Sequence, residues 1–115
     1  MDIRIKRVYE APAKDDGYRI LVDRLWPRGI SKAGAHVDEW LKEIGPSNEL
    51  RKWFGHEPPK YLEFKKRYEQ ELHGQPELLK HIRDLAKKQR LTLVYSAKDE
   101  DHNQAVVLRE VLLWK

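Results

Sequence analysis

The chain has 115 residues, 23 Lys+Arg against 19 Asp+Glu, a formal net charge of +4 and no cysteine, a length that holds one compact domain over residues 1–115. Its apolar runs fall far short of the roughly 20 residues of a membrane-spanning helix, so no membrane partner is expected. The N-terminus lacks the apolar core of a signal peptide. Without cysteine, disulfides, thiolate catalysis and cysteine-ligated zinc are excluded, and a reducing cytoplasm is the expected compartment.

Ile3 and Ile5 alternate with Arg4 and Lys6, the period-2 pattern of a half-buried strand over residues 3 to 8. Pro12 and Asp15-Asp16-Gly17 make a turn. Tyr18 to Leu25 has the apolar centre of a more buried strand, which Trp26-Pro27-Arg28-Gly29 stops. Residues 30 to 37 have no assignable period and are a candidate for a further strand. Val37, Trp40, Leu41 and Ile44 then fall at i, i+3, i+4, i+7, which predicts a short helix ended by Gly45-Pro46.

Ser47 is the expected N-cap of a second helix through Leu50, Trp53 and Phe54, closed by Gly55. Pro58-Pro59 opens a third, with the stripe Tyr61, Phe64, Tyr68 and Leu72. Pro76 opens a fourth, with Leu78, Leu79, Ile82, Leu85 and Ala86 on one face. Leu91 to Ala97 is nearly all apolar, as a central strand covered on both faces requires. A last helix is predicted from about His102 to Leu113. The order of elements predicts an α/β fold: one compact domain with a small, mainly parallel sheet flanked by helices.

Two clusters follow buried strands, where open α/β sheets bind ligands. Asp23, Arg24, Trp26 and Arg28 leave the second strand, and Ser96, Lys98, Asp99, His102 and Asn103 leave the last. If those strands are parallel neighbours the clusters share one rim. Arg24 and Arg28 form a candidate clamp for phosphate or carboxylate, since a planar guanidinium makes paired bonds to either; a structural ion pair between Asp23 and Arg24 is the competing reading. His102, with Asp99, and His56 are candidate proton-transfer groups. Helix capping explains Asp99 to Asp101 equally well, with Asp101 as the expected cap at about 1 kcal/mol.

His56, Asp99 and His102 lack an i, i+4 or HExxH spacing, so no metal site is expected. No GxGxxG, GxxxxGK[ST] or GxSxG occurs, so dinucleotide, P-loop and hydrolase-elbow readings lack local support and the sequence leaves the cofactor unknown. Charge runs +3 over residues 1–35 (8 basic, 5 acidic), −1 over 36–75 (7 and 8) and +2 over 76–115 (8 and 6). That spread favours a small anionic ligand over nucleic acid as partner, while an interaction module with purely structural motifs stays the alternative.

YRILVDRLWPRG (Tyr18–Gly29), WLKEIGPS (Trp40–Ser47), LRKWFGH (Leu50–His56), Ala97-Lys98-Asp99 and His102-Asn103-Gln104-Ala105 together resemble the YeaO-like branch of the DUF488 family, a bacterial and archaeal domain of unknown function. The resemblance covers nearly the whole chain. It implies a small cytoplasmic α/β domain and adds Arg51 and His56 to the motif positions, beside Asp23, Arg24, Trp26, Arg28, Asp99, His102 and Asn103. Broader members of the family carry a cysteine after the last strand and a Cys-His-Arg at the next helix start. This chain has Tyr95, Ser96, His102 and Asn103 in that neighbourhood, so the resemblance carries no thiol chemistry over.

Overall fold

Four strands pair in parallel in the order β1-β4-β2-β3, in a computed structural model that describes residues 1–114. They are β1 (Ile3–Arg7), β2 (Tyr18–Leu21), β3 (Glu39–Trp40) and β4 (Leu91–Tyr95). β4 lies between β1 and β2, with Ile5 opposite Leu93 and Ile20 opposite the same residue on the other side. That central position explains its apolar sequence: all five of its residues are buried.

The two faces of the sheet differ. Ile3, Ile20, Leu91, Leu93 and Tyr95 point into the main core, which is closed by helices α3 (Tyr61–His73), α4 (Pro76–Lys88) and α5 (Gln104–Leu113). On α3, Phe64 and Tyr68 are stacked beneath Phe54 of α2 (Asn48–Phe54). The opposite face holds a smaller cluster of Val8, Leu21, Ala35 and Val94, covered by Trp26, Ile30 and Val37 from the loop that carries the short helix α1 (Lys32–Ala35).

A charged network completes that thinner face. Arg19 and Thr92 are register partners, and both are buried. Arg19 bonds Asp16 at 2.5 Å and donates to the carbonyls of Ala35 and His36. Lys6 reaches the same carboxylate at 3.1 Å, and Thr92 donates to the Asp16 carbonyl.

Four sequence expectations are corrected. Residues 37 to 44 are not helical but form β3 and a 3-10 turn over Lys42–Ile44. The backbone there pairs with β2 instead: Asp38 N–H donates to Arg19 and Leu41 N–H to Leu21, while the Asp38 carboxylate accepts the Arg19 N–H at 2.8 Å. The helical spacing of Val37 and Ile44 arises because they fall on opposite sides of the sheet, in different apolar clusters. Residues 30 to 37 contain α1, capped by Ser31, rather than a strand.

The last helix starts at Gln104 with Asn103 as N-cap, not at His102. The Asn103 carboxamide oxygen accepts from Ala105 and Val106 N–H, and its amide donates to the Asp99 carbonyl. Asp101 has no cap role; its own N–H donates to Asp99. Asn103→Ala should therefore cost about 1–2 kcal/mol in urea unfolding, and a cost below about 0.3 kcal/mol would rule the cap out.

No helix among the described residues is long and apolar enough to cross a membrane.

Candidate functional site

β2 and β4 run side by side in the same direction, so the chain leaving each arrives at one edge of the sheet. Val22 N–H still pairs with Val94, and Asp23 is the first residue beyond the ladder. Its side chain is 7% exposed and turns toward the end of β4. One oxygen accepts from Ser96 N–H at 3.0 Å and from the Ser96 hydroxyl. The other accepts from the Gln104 amide at the start of α5. Burial pushes the Asp23 carboxyl above its ordinary value, against the opposing pull of the Ser96 bonds, the His56 charge and the Gln104 bond.

Above this carboxylate opens a cavity of about 440 Å³. Its lining includes the basic groups Arg24, Arg28, Arg51 and His56, the buried Asp23 with its partners Ser96 and Gln104, and the apolar surfaces of Tyr9, Leu25 and Trp26. The volume lies within the ~300–1,000 Å³ of small-molecule sites.

The arginines are held differently. Arg24 is not paired with Asp23. Its Nε donates to the Pro46 carbonyl at 2.7 Å and its Nη2 to Gly45 at 2.9 Å, which ties the end of β2 to the buried Gly45-Pro46 turn. Gly45 is needed there, because a Cβ would stand 2.9 Å from the Arg24 nitrogen. Arg51 lies within α2, and its Nε is buried with no hydrogen-bond partner among the described residues. Such orphaned donors are rare, since each costs about 1–3 kcal/mol to bury unpaired.

His56 stands on the rim in the left-handed region, at φ 58°, directly after Gly55 at φ 54°. Two successive left-handed residues turn the chain out of α2 and back over the cavity. Histidine enters this region more readily than most residues, and His36, outside the cavity, does so too at φ 50°.

Trp26 is fixed by its indole N–H, which donates to Ile30 at 2.6 Å, and by an edge-on contact with Trp40 at 5.2 Å. Trp40 in turn donates to the Asp23 carbonyl.

The site residues expected from sequence thus divide. Asp23, Arg24, Trp26, Arg28, Arg51, His56 and Ser96 line one cavity; Lys98, Asp99, His102 and Asn103 do not line it. Their contacts are local. Asp99 accepts from Asp101 and His102 N–H, and these bonds, Asp101's first, hold its carboxyl below the ordinary value. His102 donates through Nδ1 to Asp99 at 2.9 Å, since an ionised carboxylate only accepts, and its ring lies edge-on to Tyr61 at 5.0 Å.

Gln104, Tyr9 and Leu25 were missed. Gln104 was visible only as part of a motif, and its role depends on α5 beginning two residues later than the sequence pattern suggests.

The family model described as "Inactive DUF488-N3 subclade" matches residues 2–115. The chain is 53% identical to "Uncharacterized protein YeaO" of Escherichia coli over 112 residues, covering 97% of each chain. It is 41% identical to an uncharacterized protein of Mycobacterium tuberculosis over 110 residues, covering 96% of this chain and 92% of the relative. No solved structure matches.

Proposed function

Because this chain belongs to the DUF488 family, in its YeaO-like branch, we propose that it binds a small organic anion, phosphate-like or carboxylate, in the cavity beyond β2 and β4, and does not turn it over. The observation that carries this reading is the gathering of three guanidiniums, Arg24, Arg28 and Arg51, around a cavity with one carboxylate, Asp23. Three permanent cations against one anion leave the cavity an excess of positive charge, and a guanidinium makes paired bonds to phosphate or carboxylate.

In this reading Arg28, exposed at the mouth, draws the ligand in, while Arg24 offers the Nη1 edge left over from its two carbonyl bonds. His56 hydrogen-bonds the ligand from the rim. Asp23 and Ser96 form a rigid floor. Asp99, His102 and Asn103 hold the β4–α5 turn, and neither they nor the exposed Lys98 have a ligand role. Binding without turnover is supported by the name of the matched subclade.

The test is calorimetric titration and thermal shift with sulfate, inorganic phosphate and small carboxylates. At 100 times Kd, binding adds about 2.7 kcal/mol, or roughly 10 °C for a domain of this size. Arg51→Met should weaken anion binding about tenfold without lowering the unliganded Tm, since its Nε has no internal bond to lose and removing an unpaired buried donor relieves a cost. Unchanged affinity in that variant, or no shift with any anion, would overturn the proposal.

A further inference from the structure

We infer that the anion is one end of a ring-bearing ligand, a phosphate monoester of the nucleoside monophosphate class, whose ring rests on the wall formed by Tyr9, Leu25 and Trp26. The inference rests on the anion-binding reading above and adds the uncharged half of the ligand.

The first argument is room. About 440 Å³ holds more than a dozen waters at ~30 Å³ each, several times what an inorganic anion fills. The second is where the exposed apolar surface lies. Seven large hydrophobic side chains are left exposed among the described residues. Of these, Leu25 (55%) and Tyr9 (45%) line the cavity, and Trp40 packs against Trp26 behind its wall. Apolar groups gathered at the mouth of a cationic cavity match a ligand charged at one end and planar at the other.

The third argument is preorganisation. Tyr9 is held by its hydroxyl, which donates to the Arg28 carbonyl at 3.0 Å, and by the Arg7 guanidinium 5.1 Å over its ring. Trp26 is held by Ile30 and Trp40. Rings fixed before binding lose little freedom when a ligand arrives, so their contact area converts efficiently into affinity. The wall and the arginines also share a segment: Arg24, Leu25, Trp26 and Arg28 are nearly consecutive, so the two halves of the site keep a fixed spacing.

The experiment is titration of the wild-type protein and Leu25→Ser with AMP, ribose 5-phosphate, inorganic phosphate and adenosine. Leu25 is exposed, so the variant should fold normally, which its Tm checks. The expected result is AMP at least tenfold tighter than ribose 5-phosphate or phosphate, adenosine weaker than AMP, and a loss of about fivefold for AMP in Leu25→Ser with phosphate unchanged. Equal affinity for AMP, ribose 5-phosphate and phosphate would overturn this inference and leave the anion site standing. Adenosine binding as tightly as AMP, or no phosphate binding at all, would overturn the anion reading itself.

Discussion

Replacing Arg19 with methionine is expected to destabilise the protein by about 3–4 kcal/mol at neutral pH. Breaking a buried ion pair by removing one partner costs ~3–5 kcal/mol, because the other charge stays buried. Here Lys6 remains beside Asp16, which places the loss toward the lower end; the Ala35 and His36 carbonyls also lose their donors.

Burial raises the Asp16 carboxyl, but bonds from Ala13 N–H, Lys6 and Arg19 outweigh it, and the net value lies below the ordinary one. A carboxyl lowered in the fold adds stability above its unfolded value and loses it as pH falls through the folded value. The penalty of Arg19→Met should therefore shrink in acid, where Asp16 is neutral. Asp16→Asn in the Arg19→Met background should recover part of the loss. Urea unfolding at pH 7 and pH 3 measures both, and a cost below about 1 kcal/mol at pH 7 would show the pair to be dispensable.

That network was invisible in the sequence for a definite reason. Asp15-Asp16-Gly17 reads as a turn, and it is one, but the alternation of β2 also sends Arg19 to the thin face, where a loop rather than a helix covers the sheet. Only the register of β4 against β1 and β2 brings Lys6, Asp16, Arg19 and Thr92 together.

Strands β1 and β4 and helices α2 to α4 were legible, because each has a clean period and explicit start and stop residues. β3 was not. Two residues cannot display alternation, and an apolar pattern drawn from two separate cores imitated a helix.

The site was legible in part. Placing it at the ends of β2 and the last strand required only that these be parallel neighbours. What the sequence could not resolve was partnership: Asp23 and Arg24 are adjacent, yet consecutive side chains leave extended backbone in opposite directions. Asp23 turns to Ser96 and Gln104, and Arg24 to Gly45 and Pro46. In the same way, Asp99, His102 and Asn103 of the β4–α5 turn resemble site residues in composition but spend their polar groups on one another and on the local backbone.

Asp23→Asn should raise sulfate affinity at least about thirtyfold at neutral pH. A buried carboxylate facing an anion opposes it: at an effective dielectric of ~20, each unit charge roughly 7 Å away is disfavoured by about 2 kcal/mol, or roughly thirtyfold in affinity, and sulfate carries two. Asparagine keeps the acceptor for Ser96 N–H, and Gln104 can turn its amide over to accept from the new NH₂, so the floor survives.

The sign of the stability effect follows from the direction of the shift. Asp23 is raised in the fold, so the native state binds more protons than the unfolded state between the ordinary carboxylate value and the raised one. Wild-type stability falls as pH climbs through that window, and Asp23→Asn should lack the fall. Sulfate stays fully ionised across this range. Its affinity for the wild type should therefore rise as pH drops and Asp23 is neutralised, while the variant should lack the part of the rise due to Asp23. Titrations of both proteins with sulfate from pH 4 to 8 measure that difference, and equal affinities at pH 7 would place the anion away from Asp23.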